Sequence, residues 1–159
     1  MRLGSVAGYA AAVIGALYAA LSLYWGAGGT YWLDTVGGAV RDLAGRGGTS
    51  AVTVGLGAAA LKLAASAVAF VLARTGGRLR WLLILAALIG FVLIVYGGVL
   101  VAVGALVLTG AMDPGTAIDR TALTWHVAVW DLWFLVWGVL FALATIAFRR
   151  RSPVVGSRV

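Results

Sequence analysis

The chain has 159 residues, 63% of them hydrophobic and 11% charged, with a mean hydropathy of +1.05. Soluble domains of this length carry roughly 25% charged residues, so a water-soluble fold is excluded. A net charge of +7 would suggest nucleic acid in a soluble protein. Here the placement of the arginines points to membrane topology instead, and nucleic acid is not an expected partner.

Four apolar runs, approximately 5–27, 51–73, 81–110 and 125–148, reach the roughly 18–20 residues that cross a bilayer core. The expected fold is all-α, an integral membrane four-helix bundle forming one membrane domain over 1–159, with 149–159 as a tail. The third run is long enough to tilt. Arg2 precedes span 1, Arg74, Arg78 and Arg80 lie between spans 2 and 3, and Arg149, Arg150, Arg151 and Arg158 follow span 4. The other side carries Arg41, Arg46 and Arg120, diluted by Asp34, Asp42, Asp113 and Asp119. The positive-inside rule then puts both termini in the cytoplasm. A cleaved signal peptide is the competing reading of residues 2–20. Span 1 runs well past any small-residue cleavage site, so an uncleaved first span is expected.

In chain order, span 1 sets Gly4, Gly8, Ala11, Gly15, Ala19, Ser22 and Gly26 on one stripe, the small-residue pattern by which helices pack in lipid. The first outer loop, roughly 28–50, reads GGTYWLDTVGGAVRDLAGRGG at its start. Asp34 is expected to cap a short interfacial helix there. Val36, Val40 and Leu43 would form its apolar stripe, with Arg41, Asp42 and Arg46 toward water. Gly37–Gly38 weakens that helix.

Span 2 gathers Gly55, Ala58, Ala59, Lys62, Ala65, Ser66, Ala69 and Ala73 on one face. The short connection RTGGRLR (74–80) predicts that spans 2 and 3 are antiparallel neighbours, and span 3 places Gly90, Gly97 and Gly104 at heptad spacing. The second outer loop, AMDPGTAIDRTALT, is a turn-rich connection around Asp113–Pro114–Gly115. In span 4, Thr124, Ala128, Asp131, Leu135, Gly138, Ala142 and Thr145 form a small face. His126, Trp130, Trp133 and Trp137 form a second stripe on the far side of that helix.

Lys62 and Asp131 are the two charges inside apolar spans. A charge at the bilayer centre costs about 2.5–3.5 kcal/mol on insertion scales, so such groups face inward and pair. Asp131 lies about 9 Å below the start of its span and Lys62 about 16 Å below the start of its own, at 1.5 Å per residue. Both side chains lean outward, and a lysine stem can snorkel across the offset. A Lys62–Asp131 ion pair is therefore expected. Such a pair is either a structural element fixing register or a site for substrate or proton; separate snorkelling to water is the third reading.

The chain has no cysteine and one histidine, His126. Disulfide and thiol chemistry are thus excluded, as is bis-histidine haem ligation within one chain. No cluster fits a conventional metal site, and no metal or cofactor is expected. Six of the seven tryptophans, Trp25, Trp32, Trp125, Trp130, Trp133 and Trp137, map to the outer half, with only Trp81 at the inner interface. An interfacial aromatic belt alone would be more even.

The stretches YWGAGGTYWLDTVGG (24–38), LKL (61–63), YGG (96–98) and WHVAVWDLWFLVWG (125–138) resemble those of the domain of unknown function 3995 family. These are small bacterial four-span membrane proteins with an aromatic-Gly-Gly element after span 1 and, in some members, Trp-Asp-x-Trp in the last span. The resemblance covers nearly the whole chain. It implies a multi-pass protein of the bacterial cytoplasmic membrane and assigns no activity. Many members carry proline after the span-4 aspartate; Leu132 stands there here, so the helix need not kink.

The favoured function is non-enzymatic: an outward aromatic pocket of Trp25, Trp32, Asp34, Tyr96, His126 and Trp130, anchored by Asp131, for a small lipophilic or cationic ligand. Lys62 counts against a cation, because it would already satisfy Asp131. One alternative is a proton-coupled transporter working as a homo-oligomer; another is an accessory subunit of a larger membrane complex. An enzyme acting on lipid or isoprenoid through His126 and Asp131 ranks last. Five residues apart on an α-helix, the two sit about 140° from one another.

Overall fold

Long apolar runs without an internal proline, with glycine or a capping aspartate near several of their ends, fold into four long helices in the computed structural model. The structure describes residues 3–150, so Arg2, Arg151 and Arg158 lie outside the described residues. Helix α1 spans Leu3–Gly26; two short helices, α2 (Leu33–Val36) and α3 (Gly38–Arg46), occupy the first loop. Helices α4 (Gly48–Thr75) and α5 (Arg80–Leu108) follow. The last long helix is built from α6 (Arg120–Trp125), a π-helical turn (His126–Trp130) and α7 (Asp131–Arg149). The fold is all-α, with no strand among the described residues. All four long helices have the length and hydropathy to cross a membrane.

Helix ends follow local chemistry. Gly76, left-handed at φ 63°, closes α4 by donating its N–H to the Leu72 carbonyl, a conformation glycine adopts without steric cost. The last long helix starts five residues before the apolar run, because the Asp119 carboxylate accepts from the N–H groups of Thr121 and Ala122. In the turn before it, Asp113 accepts from the Gly115 N–H.

Small faces decide which helices touch. Gly8 of α1 packs on Ala69 and Ala73 of α4, and Gly26 packs on Gly55. The Ser66 hydroxyl donates to the Ala12 carbonyl at 2.7 Å. On the other side, Gly90, Gly97 and Gly104 of α5 lie against Phe141, Leu135 and Val127 of the last helix, and Gly138 lies against Ile94. All seven residues of the expected span-1 stripe are buried.

The lateral order is therefore α4, α1, α7, α5. Helices α4 and α5, expected to be packed neighbours because their connection is short, run antiparallel but meet only sparsely. An apolar groove of about 740 Å³ lies between them, lined by residues such as Leu61, Val68, Leu88 and Val92. Each helix spends its glycine seam on a different partner, α4 on α1 and α5 on the last helix, and Leu61 and Val68 of α4 face Leu85, Leu88 and Val92 of α5 across the groove.

The tryptophan stripe of the last helix also differs from expectation. Trp130 and Trp137 are buried, and the Trp133 N–H donates to the Ile14 carbonyl of α1. That stripe is the α1-facing surface, not a far side. Trp137 sits beside Gly15 and Ser66, well inside the bundle.

The first loop is folded more tightly than one capped helix. Gly37 interrupts it, and Trp32, not Asp34, occupies the N-cap of α2, with φ 61° and no side-chain cap bond. The Trp25 N–H donates to the Tyr31 carbonyl, and the Tyr31 N–H donates to the Tyr24 hydroxyl. These bonds hold the chain in the turn that Trp32 completes. Arg41, Asp42 and Arg46 are exposed and Leu43 is half-buried, as an amphipathic helix requires; the Val40 side chain lies outside the described residues.

Candidate functional site

The site begins with the backbone of the π-helical turn. There the Asp131 N–H donates to the carbonyl of His126, five residues back. An α-helix sets residues five apart on different faces; the i→i+5 turn stacks them instead. His126 and Asp131 therefore meet, with Nδ1 and Oδ1 3.3 Å apart. The other ring nitrogen, Nε2, lies 2.7 Å from the Val36 carbonyl of α2. This contact ties the first loop to the last helix, and Asp131 is buried beneath it.

Lys62 does not complete the expected ion pair. Among the described residues, the one ion-pair contact within 4.0 Å is His126–Asp131. The Lys62 ammonium donates to the Ser22 hydroxyl at 2.6 Å and lies 3.8 Å from the centroid of the Tyr18 ring. Phe134 is the second ring near it, at 5.9 Å; both distances suit a cation–π contact. Ser22 in turn donates to the Tyr18 carbonyl. The lysine is drawn to α1, its packing partner, while the π-helical turn commits Asp131 to His126.

Lys62 and Asp131 nonetheless border the same chamber, about 260 Å³ in volume. Its wall includes Tyr18, Ser22, Trp25, Tyr96, His126 and Trp130, and Val36 and Leu43 bring in α2 and α3. Trp130 is the pivot of the aromatic part. Its N–H donates to the Thr35 hydroxyl, Tyr18 stacks on it at 6.4 Å and Trp25 meets it edge-on at 5.3 Å. Of the six expected pocket residues, Trp25, Tyr96, His126 and Trp130 line the chamber. Trp32 contacts Trp130 from outside at 6.5 Å and stays half-exposed. Asp34 lies elsewhere, in a surface recess with Arg41 and Arg46, because α2 turns Leu33 and Thr35 inward and Asp34 outward.

Tyr18, Ser22 and Phe134 are chamber residues that sequence reasoning passed over. Ser22 stood on the small stripe of span 1 with Tyr18 one turn before it, at a depth that faces Lys62; a search for hydroxyl partners of the half-buried lysine would have found both. The chamber is open sideways: Ala58, Lys62, Tyr96 and Phe134 border both it and the apolar groove between α4 and α5. Among the described residues no group of three or more His, Cys, Asp or Glu could hold a metal ion.

Fold and site together define a small multi-pass helical protein with a polar, aromatic-walled chamber giving onto an apolar groove. Residues 15–141 match the family model described as protein of unknown function DUF3995, and the chain belongs to that family. No curated protein and no solved structure matches it.

Proposed function

We propose that the protein is a non-enzymatic binder of one lipophilic small molecule in the bacterial cytoplasmic membrane. The polar head would enter the chamber and the tail would lie in the groove between α4 and α5. The arginine distribution favours cytoplasmic termini, which would turn the chamber toward the outer leaflet. The observation that carries this reading is the shared wall: Ala58, Lys62, Tyr96 and Phe134 border both spaces, so a single molecule can fill both. Along α4 the groove runs from Ala58 to Val68, about 15 Å at 1.5 Å per residue.

Binding is favoured over turnover by the state of the histidine. Both ring nitrogens of His126 are engaged, one at the Val36 carbonyl and one at Asp131. The ring is thereby tied into the packing of the first loop on the last helix.

Native mass spectrometry of the protein extracted gently from its own membrane tests the reading. A stoichiometric lipophilic adduct is expected, and it should be lost in Ala58→Trp, which fills the junction of chamber and groove. It should persist in Leu56→Trp, on the exposed side of α4. An adduct retained equally by both variants would refute the binding path.

A further inference from the structure

The hydrogen bonds of His126 fix how many protons the chamber holds. The Val36 carbonyl can only accept, so at 2.7 Å Nε2 must carry hydrogen. Nδ1 lies 3.3 Å from Asp131 Oδ1. Without a further proton this contact would set an imidazole lone pair against a carboxylate. One proton between them turns it into a hydrogen bond, either as imidazolium with carboxylate or as imidazole with carboxylic acid. In both forms the pair is neutral. Among the described residues, the titratable groups facing it from neighbouring helices are Tyr18 of α1, Lys62 of α4 and Tyr96 of α5. The first loop contributes Val36 and Leu43 to that wall, neither of them charged.

With Asp131 neutralised by His126, the chamber's charge is that of Lys62. The ammonium spends one of its three donors on Ser22 and has no other hydrogen-bond acceptor among the described residues. Among the described residues no arginine lines the chamber. Dianionic phosphates are commonly held by the forked guanidinium or by several cations, whereas one lysine balances one negative charge. We infer that the ligand is a long-chain carboxylate whose head closes on Lys62, while the His126–Asp131 pair holds one shared proton. This rests on the lipophile-binding reading and names its ligand class.

The test titrates the full-length protein in neutral detergent with three probes of equal chain length: hexadecanoate, hexadecanol and hexadecyltrimethylammonium. Hexadecanoate should bind one per chain, at least about tenfold more tightly than the alcohol, the loss expected for one charge-assisted hydrogen bond. Lys62→Met should erase the preference and Lys62→Arg, which keeps the charge, should retain it. Preference for the ammonium probe, or equal binding of acid and alcohol, overturns the carboxylate assignment while leaving a lipophile site in place. If none of the three binds, the lipophile reading itself fails. Heteronuclear NMR of isotope-labelled His126, the chain's single histidine, checks the proton independently. Protonated Nε2 is expected, and a neutral ring carrying hydrogen on Nδ1 alone would leave Asp131 a bare carboxylate and refute the neutral pair.

Discussion

Two adjacent glycines on α5 provide a controlled test of the packing described above. A methyl group added at Gly97 would stand 2.5 Å from the Leu135 nitrogen, 2.8 Å from the Asp131 carbonyl oxygen and 3.1 Å from Leu135 Cα. All three are backbone atoms, so no rotamer change relieves the clash. The two helices would have to part by roughly an ångström to reach ordinary contact. At Gly98 the same methyl meets only Leu135 Cδ1, at 3.8 Å. Both substitutions gain the helix propensity of alanine, up to about 1 kcal/mol, so this contribution cancels in the comparison. What remains is overpacking, about 1–3 kcal/mol. Gly97→Ala should therefore be less stable than Gly98→Ala by about that amount, a factor of roughly 5 to 150 in the folding equilibrium. Reversible unfolding in mixed micelles, followed by helix circular dichroism, measures the difference. Equal stabilities would refute the close approach of α5 to the last helix at Asp131.

The Lys62 anchor predicts coupling: in a double-mutant cycle of Ser22→Ala and Lys62→Met, unfolding should give an interaction of about 0.5–1.5 kcal/mol, and zero coupling would remove the contact. Two tryptophans separate packing from hydrogen bonding. Trp130 donates to Thr35, whereas the buried Trp137 N–H has no partner among the described residues, so Trp130→Phe should destabilise more than Trp137→Phe by about 1–3 kcal/mol; the reverse order in the same unfolding assay would contradict these assignments. Asp119→Ala should cost about 0.5–2 kcal/mol of local helix stability, read as faster amide exchange at Thr121 and Ala122, with unchanged exchange there refuting the cap.

Much of the architecture was legible because lipid simplifies the rules. Four long apolar runs had to be helices, since a spanning segment must satisfy its own backbone, and the glycine and alanine stripes named the surfaces that meet. The site was legible only in part. Lys62 and Asp131 were conspicuous as charges in apolar segments, and they share a chamber. The partner of each was misjudged for two local reasons. The π-helical turn adds a residue to one helical turn between His126 and Asp131, and a reading at 3.6 residues per turn sets apart what this turn brings together. The second reason is the Ser22 hydroxyl, which looked like one more small residue on a packing stripe and is the acceptor for the lysine. Asp34 was misplaced because Gly37 splits the loop helix and Trp32 takes the cap, a backbone choice that side-chain pattern does not announce.

The order of helices around the bundle bears on how the protein is made. The first hairpin, α1 with α4, and the second, α5 with the last helix, each bring their own small-residue seam and can enter the membrane as finished pairs. The chamber belongs to neither. Its walls come from α1 and α4 on one side and from α5 and the last helix on the other, and the outer members of the two hairpins in chain order, α1 and the last helix, form the joint between them. During biosynthesis Lys62 thus enters the bilayer well before Asp131 and His126 exist. Before the second hairpin follows, the contacts open to that lysine within its own hairpin are the Ser22 hydroxyl and the Tyr18 ring. The Lys62–Ser22 hydrogen bond lies wholly within the first hairpin, so the lysine's acceptor comes with the same pair of helices that brings the lysine.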